Sequence, residues 1–104
     1  MSAMFAFEVG DISMRSMTFE YVINDLLERS SDPIDQQVCQ VALDLNCLWV
    51  DQINAGRKCA LLGNLHDVLV EQLRSGVHSD NWVALFEIRR ALDELAKRYP
   101  DCFK

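Results

Sequence analysis

Four cysteines and two histidines are the residues of this chain most suited to metal or nucleophilic chemistry: Cys39, Cys47, Cys59, Cys102, His66 and His78. A zinc site is usually announced by short paired spacings such as CxxC, because two ligands must reach one ion from a single turn. None of these cysteines is spaced that way. Cys39, Cys47 and Cys59 are therefore expected as small buried apolar residues in a reducing cytosol, with Cys102 near an exposed C-terminal end. His66-Asp67 and His78-Ser79-Asp80 join acid and imidazole only as close sequence neighbours, and adjacent residues on a helix point apart, so no triad is built. A reactive thiol needs an electropositive setting, which a chain of 16 acids, 10 bases and net charge −6 gives little reason to expect. The phosphate loop, GxGxxG, HExxH and calcium-loop patterns are also missing. No enzyme activity, cofactor or metal is expected.

The same acidic balance argues against a non-specific nucleic-acid surface, which needs clustered Lys and Arg to displace counterions. A helix-turn-helix around Ser75-Gly76-Val77-His78 is the nearest nucleic-acid motif, with Arg89-Arg90 on the following helix. Its turn is long, and Glu87, Asp93 and Glu94 dilute the positive face. No apolar run approaches the roughly 18–20 residues of a membrane span. The first basic residue is Arg15, so a secretory signal with a positive start is not expected either. The expected location is the cytoplasm.

The elements that must position any working surface are read from periodicity. A chain of 104 residues supports one hydrophobic core. Residues 1–15 form an N-terminal arm in which Phe5, Phe7 and Val9 alternate with Ala6 and Glu8 like a short strand, ended by Gly10-Asp11. Residues 16–104 form a single helical domain. Ser16 caps a first helix with the stripe Phe19, Val22, Ile23, Leu26, Leu27. Asp32-Pro33 starts a second helix of about 20 residues, with stripe Ile34, Val38, Val41, Ala42, Leu45, Leu48, Trp49, Ile53 and Gly56 at its end. A third helix reaches Arg74, with Gly63 inside it as a place for another backbone to approach. A fourth starts near Ser79 or Asp80, lines Trp82, Leu85, Phe86, Leu92, Leu95, Ala96 and Tyr99 along one side, and stops at Pro100. Short connections favour antiparallel neighbours. The expected fold is all-α: a small four-helix bundle-like domain with an extended N-terminal arm, in a homodimer.

Two features depart from a plain bundle. The second helix also carries Cys39, Leu43, Cys47 and Val50, so it is apolar around much of its circumference, a pattern of helices enclosed on several sides. A chain this small has difficulty enclosing it alone, which is the argument for a second chain. Charge is also segregated. Residues 1–56 hold nine acids against Arg15 and Arg29 alone, while residues 57–104 hold seven acids and eight bases. Phe5, Phe7, Leu45, Leu48, Trp49 and Val50 are the candidate residues of a partner or dimer interface.

In size, helix order and the apolar segment Ile34 to Ile53, the chain resembles the QslA-type quorum-sensing antiactivators. That resemblance implies a protein that binds and inhibits a larger regulatory protein, a LuxR-type transcription regulator, by masking its dimerisation surface. No short motif carries it, so no functional residue is transferred. A different class, the acidic immunity protein that neutralises a basic toxin, would instead use Asp35, Asp44 and Asp51 to fill a basic cleft.

Overall fold

The computed structural model describes residues 2–8, 10–76 and 82–103. It is mixed α/β, not all-α: a three-stranded sheet and four α-helices share one core. The expected N-terminal arm is a β-hairpin. β1 (Ser2–Phe7) and β2 (Gly10–Arg15) pair antiparallel from Ser2↔Arg15 to Phe7↔Gly10. The partner that Phe5 and Phe7 needed is the next segment of the same chain. Ile12 and Met14 alternate there with Asp11, Ser13 and Arg15, which gives the hairpin one apolar face. Ala3, Phe5, Phe7 and Met14 are buried, and the Phe5 ring meets the edge of Phe19 at 5.1 Å between centroids.

α1 (Ser16–Arg29) follows directly and buries Thr18, Phe19, Val22, Ile23 and Leu26, as its stripe implied. Ser16 is not its cap. Arg15 occupies that position without a side-chain cap bond, and the Ser16 hydroxyl is buried with no hydrogen-bond partner. α1 closes at Ser30, whose hydroxyl donates to the Leu26 carbonyl at 2.7 Å.

α2 (Pro33–Leu45) starts as its sequence dictates. The Asp32 carboxylate accepts from the Ile34 N–H at 2.8 Å, and Pro33 takes the first turn, where a missing N–H costs nothing. It ends well short of Gly56. Asn46 turns left-handed (φ 54°) while its N–H still reaches the Ala42 carbonyl. Asn tolerates that conformation better than most residues. The chain then runs as β3 (Cys47–Trp49), parallel to β1, and through a 3₁₀ turn over Val50–Gln52. The spacing of Leu45, Leu48 and Trp49 imitates a helix, but the free edge of β1 competes for the backbone. The Met4 N–H donates to the Asn46 carbonyl at 3.0 Å, and Leu48 comes to lie beside Phe5.

The strand order is β2-β1-β3. The register places Ile12, Phe5 and Leu48 side by side on the face that joins the helical core, and Asp11, Ala6 and Trp49 on the other. α3 (Ala55–Ser75), capped by the Asn54 side chain on the Gly56 N–H, and α4 (Trp82–Arg98) complete the core with Leu61, Leu62, Leu65, Val68, Leu69, Leu85, Ile88, Leu92 and Leu95. Gly63 does allow a close approach: a β-carbon there would lie 3.4 Å from the Cys102 carbonyl oxygen. The expectation of Trp82 and Phe86 in the core is not met. They are 55 % and 47 % exposed, packed edge to face at 6.3 Å. His78, the expected helix start at Ser79 or Asp80, and part of the 75–78 turn lie outside the described residues.

Candidate interaction surface

α2 presents two apolar stripes because it is apolar on two sides. The inner one, Cys39 and Ala42, is buried together with the carboxylate of Asp35. The outer one, Ile34, Val41 and Leu45, faces outward, with Ile34 57 % and Leu45 58 % exposed, and half-buried Val38 between them packs one side against the core. Gln36, Gln37 and Gln40 are the exposed polar neighbours, and Asp44 is the one exposed charge on this helix. Depletion of charge around an apolar strip is the composition of an interface centre, whereas a solvated helix face carries Lys and Glu. Beside the strip, α2 and the β3–3₁₀ segment enclose a groove of about 240 Å³. Val38, Val41, Ala42, Leu48 and Ile53 line it, with Trp49 at 38 % exposure and Gln37, Gln52 and Asn54 among its polar lining.

An ion pair anchors α2 behind this surface. Asp35 is almost fully buried, and Arg57 grips it with two bonds: Nε to Oδ1 at 3.0 Å and Nη2 to Oδ2 at 2.6 Å. Asp32 adds a longer contact to the same guanidinium at 3.8 Å. These bonds favour the charged guanidinium and push the Arg57 pKa further up, against a smaller opposing effect of desolvation. Planar bidentate pairing fixes the rotation of α2 about its axis as well as its position. That rotation turns Ile34, Val41 and Leu45 outward.

Neither free thiol is set up for chemistry. Burial, and then the charge of Asp35, push the Cys39 thiol up to about 11. Cys47 is also raised, by burial and then by Asp11 and Asp51. Both are protonated near neutral pH and so are poor nucleophiles. The other two cysteines are not the free residues that were expected. Cys59 is exposed rather than buried and forms a disulfide with Cys102, clasping the 3₁₀ turn Pro100–Phe103 to the start of α3. His66 Nδ1 lies 3.7 Å from its neighbour Asp67. Among the described residues, no group of three or more His, Cys, Asp or Glu is placed to hold a metal.

A second polar cluster has no counterpart in sequence spacing. Glu8, at the hairpin turn, accepts from Lys58 Nζ at 2.7 Å and from the Tyr99 hydroxyl at 3.2 Å, with Arg98 at 3.5 Å. Lys58 also sits over the Tyr99 ring, 5.4 Å from its centroid. The hydrogen bond from Lys58 is the main reason the Glu8 pKa is lowered, and the same bond raises that of Lys58. The cluster ties the hairpin to the start of α3 and the end of α4. Arg29 and Glu71 make a further bridge between α1 and α3.

Of the candidate interface residues, Leu45 and Trp49 stand at the surface. Phe5, Phe7, Leu48 and Val50 are buried in the chain's own core, with Leu48 also reaching the groove. Of the second-helix stripe, Ile34 and Val41 turn outward, whereas Val38 does pack against the core. The signal that could have turned Ile34 and Val41 outward is the second stripe at 35, 39 and 42, whose single acid has a basic partner at Arg57. No protein-family model, curated relative or solved structure matches the chain.

Proposed function

We propose that this chain is a non-enzymatic interaction module, and that the outer face of α2 with the Trp49 groove seats an apolar helix of a larger protein. The observation that carries the reading is a helix with its ion pair turned inward and an apolar, nearly uncharged strip turned to solvent. Folding alone would favour the reverse arrangement. Trp49 and Leu45 supply the anchors, and Asp44 stands at the rim, where charge mainly steers encounter. Following the antiactivator resemblance, the partner is a LuxR-type transcription regulator, inhibited because its dimerisation surface is covered. Such a partner puts the chain in the cytoplasm. No helix of the described residues is long and apolar enough to cross a membrane. The immunity reading has less to work with, since Asp35 is engaged by Arg57 in the interior.

The test is calorimetric titration of the chain with the ligand-binding domain of a LuxR-type regulator from the same cell. Trp49→Arg is expected to weaken binding by about 30-fold or more, the size of a hot-spot loss. Neutralising Asp44 and Asp51 together is expected to change salt dependence more than affinity. Wild-type affinity in a folded Trp49→Arg chain would remove the reading. A loss confined to the acid variant would move the contact from the apolar strip to the acidic rim.

A further inference from the structure

Ile34, Val38, Val41 and Leu45 follow one another at intervals of four, three and four residues. This is the spacing at which two helices interlock side chains along a seam. The two ends of the strip, Ile34 and Leu45, are each more than half exposed, Val41 is exposed, and Val38, half-buried against the core, shows one edge in the groove beside Val41. We propose that a second copy of this chain covers the strip, α2 lying antiparallel on the partner's α2 about a two-fold axis between Val38 and Val41.

The strip is self-complementary in that order. Ile34 meets the partner's Leu45, and Val38 meets the partner's Val41, so each layer joins two aliphatic side chains. Gln37 flanks the seam on the same side as Asp44, and the antiparallel order sets it opposite the partner's Asp44. The one exposed carboxylate of the helix then meets an amide donor instead of a like charge. The same order brings each acidic C-terminal turn toward the partner's helix N-terminus. There the backbone dipole favours negative charge, and Arg57 stands beside Asp32 and Asp35. A parallel pair would align the two dipoles and bring Asp32 and the partner's Asp32 to the same end. The seam is about 20 Å long for a 13-residue helix. That is short of the roughly 800 Å² per partner of a standard interface, which puts the dimer in the weak, reversible class.

This inference rests on the proposed function in one respect: the surface offered to the regulator is the surface the second copy covers. Self-pairing and regulator binding exclude each other, so apparent affinity for the regulator falls as the chain's own concentration rises.

Sedimentation velocity of the full chain, from about 1 μM to 1 mM across the weak range, reads the self-pairing directly. Wild type is expected to move from monomer to dimer mass. Leu45→Glu is expected to stay monomeric, shifting the midpoint at least about tenfold. Gln37→Lys sets an ammonium opposite the partner's Asp44 twice per dimer and is expected to tighten the dimer about threefold to tenfold. A misfolded variant does not produce that gain. Monomer mass for wild type throughout, or a Gln37→Lys dimer no tighter than wild type, would overturn the antiparallel seam. If wild type stays monomeric while Trp49→Arg loses the regulator, the self-pairing fails and the interaction reading stands. If the dimer responds as expected but no regulator binds, the reverse holds.

Discussion

The hairpin and the outer face of α2 both carry large apolar side chains. Phe5 and Phe7 are sealed within the core, whereas Ile34, Leu45 and Trp49 stand in water. Hydrophobicity does not separate them. What separates them is whether a matching surface exists in the same chain. β1 finds β2 on one edge and β3 on the other, and its apolar face meets Phe19 and Leu48. α2 has one side that the chain buries fully, with Val38 and Leu43 half-buried at its margins, and the Asp35–Arg57 pair anchors that side. The lesson is that an excess of apolar surface on one helix marks a partner only after the chain's own claims on it are counted.

The contrast can be tested by substitution, beginning with the largest effect. Phe5→Ala is expected to destabilise the fold by about 3–5 kcal/mol in urea unfolding, because it empties a fully buried aromatic site. Replacing Cys59 and Cys102 together by serine removes a link across 43 residues and is expected to cost about 2–4 kcal/mol in the same assay. Glu8→Gln is expected to cost on the order of 1 kcal/mol at neutral pH, and its effect should depend on pH. The folded-state pKa of Glu8 lies below its ordinary 4.5, so its contribution is complete above that pH and disappears as pH falls through the lowered folded value. Lys58, raised above 10.5, gives the mirror case: its contribution is complete below that pH and is lost as pH rises through the folded value. The gap between wild type and Glu8→Gln should therefore close on acidification below about pH 4.5; a gap unchanged there would show that the ionised carboxylate is not its source. The smallest effect on folding belongs to Leu45→Arg, within about 0.5 kcal/mol, as expected for an exposed site. A large loss of stability there would mean that the outer strip belongs to the fold after all, and the contrast with the hairpin would collapse.

The helical part of the fold was largely legible. Asp32-Pro33 starts α2, Phe19 to Leu26 faces the core, and α4 stops before Pro100, because capping and 3.6-residue periodicity are local effects. The sheet was not. Ile12 and Met14 alternate too briefly to stand out, and β3 is hidden in a stretch whose spacing also suits a helix. Half of the working surface was legible for the same reason. Leu45 and Trp49 could be singled out as excess apolar residues, but Leu48 and Val50 beside them could not be told apart from that excess. The Glu8–Lys58–Tyr99 cluster joins residues 50 and 91 positions apart, and local pattern has no access to contacts of that range.

The amino-acid sequence by itself determined the acidic balance, the Asp32-Pro33 start of α2, the inward face of α1, and a second helix with more apolar surface than one side can bury. Each of these follows from neighbours within one or two turns. The tertiary structure alone decided that Asn46 ends α2, that residues 47–49 become a strand, and which side of α2 meets water. Those outcomes depend on the open edge of β1 and on the reach of Arg57 to Asp35, contacts whose free energy exists only once distant segments have come together.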